Sequence, residues 1–209
     1  MKITDAVPNS GRVERKKEET RQKIISVAMK LFMEQGVAAT SMEQVAGLAD
    51  IARGTLYNYF PVKEAIIDEY IKQKFRRDNP ERIVRLQKLP DTRARMRMVL
   101  NEVLSGLQAQ PEIFESYFVY RIQNMISLQP NESARSGLYS LEAELIALGQ
   151  HQGEIRSDLP FEILTGLFEF VFVKVAQQFY QDPQKFKTGL VLEQCVDLFM
   201  NGVRDTGQP

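Results

Sequence analysis

Residues 40–63 read TSMEQVAGLADIARGTLYNYFPVK, and the way this stretch divides into two short helices decides the fold. Ser41 followed three residues later by Gln44 is a capping-box pattern, in which each side chain can satisfy the other residue's backbone amide. It predicts a helix from Met42, with Met42, Val45, Ala46 and Ala49 as its apolar stripe. Asp50-Ile51-Ala52 then forms a tight link in which Ile51 alone can turn inward. A second helix is expected over 53–60, with Leu56, Tyr59 and Phe60 on one face and Arg53, Thr55, Tyr57 and Asn58 largely on the other. Two short helices joined by about three residues make a helix-turn-helix.

A recognition helix enters the major groove N-terminal end first, so small and hydrogen-bonding groups belong at its start. Gly54 lets backbone approach a duplex, Thr55 offers a hydroxyl and a methyl, Arg53 can bond guanine with both arms, and Asn58 reaches another base. Tyr57 and Lys63 are placed for phosphates, and Thr40 and Ser41 are expected to present hydroxyls and amides to a phosphate at the first helix. With Tyr59, these residues form the candidate DNA-contacting set.

The run Ala39-Thr40-Ser41-x-x-x-Val45-Ala46, then Gly54-Thr55-Leu56-Tyr57-x-Tyr59-Phe60-x-x-Lys63-Glu64, preceded by Ala28-x-x-Leu31-Phe32-x-x-x-Gly36, resembles the TetR/AcrR family of transcriptional regulators. One position departs from that pattern: Ala52 stands where the family has a small capping Ser or Thr, so the second helix starts without a side-chain cap. The resemblance implies an all-α protein, with an N-terminal three-helix helix-turn-helix head and a larger C-terminal helical domain for ligand binding and dimerisation. It also implies a homodimer, usually a repressor, on double-stranded palindromic operator DNA, with its two heads about 34–36 Å apart or a multiple of one DNA turn. A small-molecule effector releases it.

Toward the N-terminus, residues 1–11 lack periodicity and read as a flexible arm. From about Glu14 to Gln35, Ile24, Ala28, Leu31 and Phe32 mark an amphipathic helix that Gly36 stops, completing a head over 12–62. Arg12, Arg15, Lys16 and Lys17 either touch phosphates or form a solvated helix start, since Glu14, Glu18 and Glu19 dilute them.

Toward the C-terminus, 63–209 reads as helices only. One runs on from Lys63 with Ile66, Ile67, Tyr70, Ile71 and Phe75 apolar, and its Arg76, Arg77, Arg82 and Arg85 read as a solvated face. Asp91 or Thr92 opens the next, which buries Met96, Val99, Leu100, Val103 and Leu107. Pro111 opens a third with Ile113, Phe114, Tyr117, Phe118 and Ile122. A further helix from about Glu132 carries Leu138, Leu141, Leu145 and Leu148. Pro160 and Asp182-Pro183 introduce the last two. Their stripes, Leu164, Phe168, Val171 and Val175 on one and Leu192, Val196 and Phe199 on the other, are the candidate dimer interface, with core packing as the alternative.

Met98, Phe114, Tyr117, Phe118, Tyr120, Arg121, Met125 and Phe172 are the candidate ligand-binding residues, and the competing reading makes them solid core. Arg121 and Glu102, if inward, hint at a polar ligand.

Lys plus Arg and Asp plus Glu number 27 each, but residues 1–63 hold ten basic and seven acidic groups, a basic front on an acidic rear. One cysteine, Cys195, and one histidine, His151, leave no catalytic constellation and no zinc set, so no catalytic residue, metal or cofactor is expected. Glu142 and Glu144 cannot share a helix face as a catalytic pair. No membrane-length apolar run and no signal core are present, which points to the cytoplasm. The rival reading is a helical small-molecule or partner-binding protein without sequence-specific DNA binding.

Overall fold

In a computed structural model, which describes residues 10–125, 135, 137–184, 186 and 188–203, the capping box at Ser41 closes. Ser41 Oγ accepts the Gln44 amide at 3.2 Å, and the Ser41 amide donates to Gln44 Oε1 at 2.8 Å. The helix α2 (Met42–Leu48) therefore starts where expected, and Met42, Val45, Ala46 and Ala49 are all buried. The link to α3 (Arg53–Tyr59) turns through Asp50 at φ 52°, a left-handed conformation that Asp tolerates better than most residues. Ala52 caps α3 with no side-chain hydrogen bond, and Phe60 ends it.

The first helix, α1 (Ser10–Gln35), begins earlier than the apolar pattern predicts. Its early turns are solvent-exposed, with pairs such as Lys17–Glu14 and Arg15–Glu19 supporting helix without any core. Further along, Ile24, Ala28, Leu31 and Phe32 are buried, and Gly36 ends the helix at φ 88°, its amide donating to Phe32 O at 3.0 Å. Residues 1–9 of the expected arm lie outside the described residues.

The chain divides into two compact units, Met1–Tyr70 and Ile71–Pro209. The long α4 (Lys63–Gln87) contains the division and runs through Pro80, which cannot donate to the preceding turn. The helix is anchored on either side of that proline. Asn79 Nδ2 donates to Ser140 Oγ at 2.5 Å and to Gly137 O at 3.2 Å, and the Arg82 guanidinium lies 4.8 Å from the Phe75 ring centre. Arg82 is therefore no part of a solvated face: it is mostly covered, and it pairs with Glu102 at 2.5 Å.

Within the second unit, α5 (Thr92–Ala109) is central, touching α6 (Pro111–Met125), α7 (Tyr139–His151), α8 (Phe161–Gln181) and α9 (Thr188–Val203). Asp91 caps α5 by accepting the Ala94 amide at 2.7 Å. Met96, Val99, Leu100, Val103 and Leu107 are buried as expected, and the small Gly106 and Gly149 let neighbours close in. A Cβ on Gly149 would stand 2.6 Å from Ile155 Cδ1 and 2.8 Å from Thr92 Oγ1. The helix expected from Glu132 is described only from Tyr139, after a turn at Gly137-Leu138; residues 126–134 lie outside the described residues. Gly137 sits where a Cβ would be 2.9 Å from the Phe75 ring. No strand occurs among the described residues, so the chain is all-α as expected.

Candidate functional site

Leu56 and Phe60 fix the inner side of α3, with 0% and 2% exposure, and this decides which groups point outward. Arg53, Gly54, Tyr57 and Asn58 are exposed, whereas Thr55 and Tyr59 are half-buried. A Cβ on Gly54 would meet nothing within 4 Å, so the start of α3 is open to an approaching surface. Arg53 is held by its surroundings. Its Nη2 lies 2.9 Å from Glu43 Oε1 of α2, and its guanidinium stands 5.5 Å from the Tyr57 ring centre. The Tyr57 hydroxyl and the Glu43 charge raise its pKa further, so it stays a cation.

Two residues of the expected DNA-contacting set face the protein instead. Thr40 is buried, and its hydroxyl donates to Gly36 O at 2.7 Å and accepts from Gln35 Nε2 at 3.2 Å. Lys63 Nζ donates to Val37 O at 2.6 Å and to Thr40 O at 3.4 Å. Both side chains shape the turn between α1 and α2, because that turn has carbonyls to satisfy away from water. Ser41 remains exposed, although its hydroxyl and amide are engaged in the capping box. Sequence reasoning missed Glu43, which faces Arg53, and Gln35, whose Nε2 also reaches Gln44 Oε1 at 3.2 Å. Opposite charges on neighbouring helices were the signal for the first.

In the second unit, Tyr117, Phe118, Arg121 and Phe172 come together with Leu138, Glu169 and Val173 around an inner cavity of about 10 Å³. Arg121 is inward, 5% exposed, and its Nη2 lies 2.9 Å from Glu169 Oε1. Glu142 is buried beside this pair, and burial, with the Glu169 charge adding to it, pushes its carboxyl well above the usual range. Phe118 and Val173 also wall an outer groove of about 520 Å³ between α6 and α8, whose other walls include Val119, Ile122, Phe170 and Tyr180. Tyr180 donates to Pro111 O at 2.7 Å, joining the far end of α8 to the start of α6.

Met98 and Tyr120 are half-buried and line neither space, and Phe114 packs on Gly106, where a Cβ would stand 2.5 Å from Cζ. The side chain of Met125 lies outside the described residues. The sequence reading weighed Glu142 only as a catalytic partner of Glu144 and did not place Glu169 in the site, yet Glu142 falls one turn after Leu138 and three residues before Leu145, inside the buried stripe. Glu102 pairs with Arg82 and with Arg85 at 2.6 Å rather than facing the cavity.

The residues expected at a dimer interface lie inside the chain's own core. Leu164, Phe168 and Val196 are 0% exposed, Val175, Leu192 and Phe199 are buried and Val171 is half-buried, with Phe168 and Phe199 rings 5.4 Å apart. The stripes were read correctly as apolar and packed, but they pack against the same chain. What α8 and α9 leave exposed is a neighbouring set: Ile163, Leu167, Phe170, Leu190 and Leu198. His151 is exposed at the end of α7, and burial pushes the half-buried Cys195 thiol up, away from a reactive thiolate. No group of three or more potential metal ligands occurs among the described residues.

A capped α2, a left-handed link and an outward-facing α3 define a helix-turn-helix protein, here followed by an all-helical second unit. Residues 24–70 match the family described as "Bacterial regulatory proteins, tetR family", so the head of the chain is similar to the DNA-binding part of those regulators. It is 32% identical over 102 residues to the HTH-type transcriptional repressor KstR of Rhodococcus jostii, covering 47% of this chain and 46% of that protein. It is 42% identical over 52 residues to the HTH-type transcriptional regulator AcrR of Shigella flexneri, covering 25% and 24%. These matches span about a quarter to a half of the relatives' lengths. In fold, the chain is similar to Thermus thermophilus FadR, a TetR-family transcriptional repressor solved with lauroyl-CoA, at TM-score 0.71 and 23% identity over 90% of this chain and 98% of that one. The names of these relatives, all transcriptional regulators, agree with the expectation that the chain is not an enzyme.

Proposed function

We propose that this protein is a homodimeric DNA-binding regulator, a repressor that leaves a palindromic operator when a small molecule binds its second unit. The observation that carries the reading is the outward face of α3: Arg53, Gly54, Tyr57 and Asn58 stand exposed on a helix whose other side is locked by Leu56 and Phe60. Thr55 and Asn58 read base edges, Arg53 reads a guanine once it exchanges Glu43 for DNA, and Tyr57 and Ser41 contact phosphates, with Tyr59 at the margin. Thr40 and Lys63 hold the α1–α2 turn that positions them.

The dimer forms through the apolar face of Ile163, Leu167, Phe170, Leu190 and Leu198, since these side chains are the ones α8 and α9 leave uncovered. The division of labour falls near residues 62 and 63, with DNA binding before it and effector binding and dimerisation after it. The repressor names of the relatives support the first part. The complex of FadR with lauroyl-CoA supports a small-molecule effector.

Gel shifts with genomic fragments test this reading. The expected result is a specific, dimer-stoichiometric shift; Asn58→Ala then changes sequence preference by about 1–3 kcal/mol at one base pair, while Tyr57→Phe weakens all duplexes alike. A dimer with no specific shift at low salt would leave a small-molecule or partner-binding protein instead.

A further inference from the structure

Glu43 is an acid where charge alone would place none. Met42, Val45 and Ala46 turn inward on α2, which leaves Glu43 on its open side. Gly47, one turn further on, adds no side chain, and a Cβ there would meet nothing within 4 Å. Glu43 Oε1 lies 2.9 Å from Nη2 of Arg53, the first residue of α3, and both side chains stay more than half exposed, at 52% and 66%. The pair therefore stands on the surface that α3 offers to a duplex.

Arg53 does not leave for a guanine without consequence. Once its guanidinium turns to O6 and N7, the Glu43 carboxylate loses its cation beside a polyanion, a cost that a hydrogen-bond donor on the DNA offsets. Two bases present such a donor in the major groove, cytosine with its N4 amino group and adenine with its N6 amino group. Adenine sets its N7 acceptor beside N6, and that lone pair repels a carboxylate, so cytosine is the base that fits. Position follows from the pair itself. The two groups touch, and successive bases on one strand stand about 3.4 Å apart, so the cytosine lies one base step from the guanine.

We propose that Glu43 is a specificity-determining residue: on the operator the ion pair parts, Arg53 takes a guanine, and Glu43 accepts the N4 amino group of a cytosine one base step away. The proposal rests on the reading of α3 as the recognition helix and gives α2 a share in base selection. Both members exchange partners together, and no proton moves.

Selection from a randomised duplex pool by the full chain, followed by gel shifts on the selected duplex and its single-pair variants, tests it. One guanine is expected to lose its preference on Arg53→Ala, and the cytosine one step from it to be favoured by wild type about tenfold over any other base. Glu43→Gln presents a donor as well as an acceptor, which matches N6 and N7 of adenine, so it is expected to exchange cytosine for adenine at that step. Glu43→Ala removes the acceptor and is expected to leave that step indifferent, with the preference read by Asn58 retained. It also carries the test should the Gln variant not fold. A Glu43→Gln chain that binds every duplex more tightly, with its selected sequence unchanged, makes the acid a plain source of repulsion and overturns the proposal. So does a change of preference at a base pair that does not adjoin the Arg53 guanine. Selection of a sequence indifferent to both Glu43 variants sinks this assignment alone, whereas no selection by the wild-type chain sinks the regulator reading and this assignment together.

Discussion

Lys63 carries a charge that motif spacing hands to the DNA backbone, yet its Nζ lies 2.6 Å from a main-chain oxygen of the α1–α2 turn. Hydrogen bonds from a charged donor contribute about 1.5–3 kcal/mol, so Lys63→Met is expected to lower the head's stability by that order in urea unfolding. A phosphate role predicts something else: unchanged stability and a salt dependence of DNA binding reduced by about one ion. Ser41→Ala removes the cap of α2 and is expected to cost about 1 kcal/mol, read by the same unfolding curves. Sequence showed the Ser41 cap because both partners lie three residues apart in the chain. It could not show that Thr40 turns its hydroxyl to Gly36 or that Lys63 reaches back 26 residues, because those choices depend on where a distant carbonyl is left open.

At the level of elements, the breaks were legible and the faces only partly so. Gly36, Asp91, Pro111 and Pro160 stand at the helix boundaries they announce, since each acts locally, Asp91 through a side chain that reaches three residues on and the others through their own backbone. The inner row of α8 could not be told from its outer row, for the opposite reason. Ile163, Leu167 and Phe170 are as apolar as Leu164, Phe168 and Phe172, and only packing decides which row goes inside. Pro80 survives within α4 because Asn79 and Arg82 hold the helix on both sides. Glycines separate by the same logic. Gly149→Ala puts a methyl against Ile155 and Thr92 and is expected to destabilise by about 1–3 kcal/mol, while Gly47→Ala in α2 meets nothing within 4 Å and is expected to stabilise by about 0.5–1 kcal/mol. Thermal melts of the two variants without DNA check the opposite signs.

For the whole molecule, the buried acid sets a pH dependence. Glu142's folded pKa is raised above its unfolded value by burial and by Glu169, so the folded state binds the extra proton. Its stabilising contribution is full below the unfolded pKa and is lost as pH rises through the folded one. Glu142→Gln is expected to remove that descending limb above the ordinary carboxylate range, as measured by urea midpoints across pH. A midpoint profile unchanged by the substitution would mean that the carboxyl is ionised in the folded chain.

The engagement of Lys63 and Arg53 within the head has a kinetic consequence. Arg53, nearest the reading surface, is already neutralised at close range by Glu43, so its reach into solution is short, whereas Lys63 meets neutral carbonyls and keeps its charge but not its freedom to move. Arg12, Lys16 and Lys23 along the exposed side of α1 then add to the head's far field. Capture of a polyanion would be steered by one helix and sequence discrimination exercised by another, which lets encounter rate and selectivity be tuned by separate substitutions.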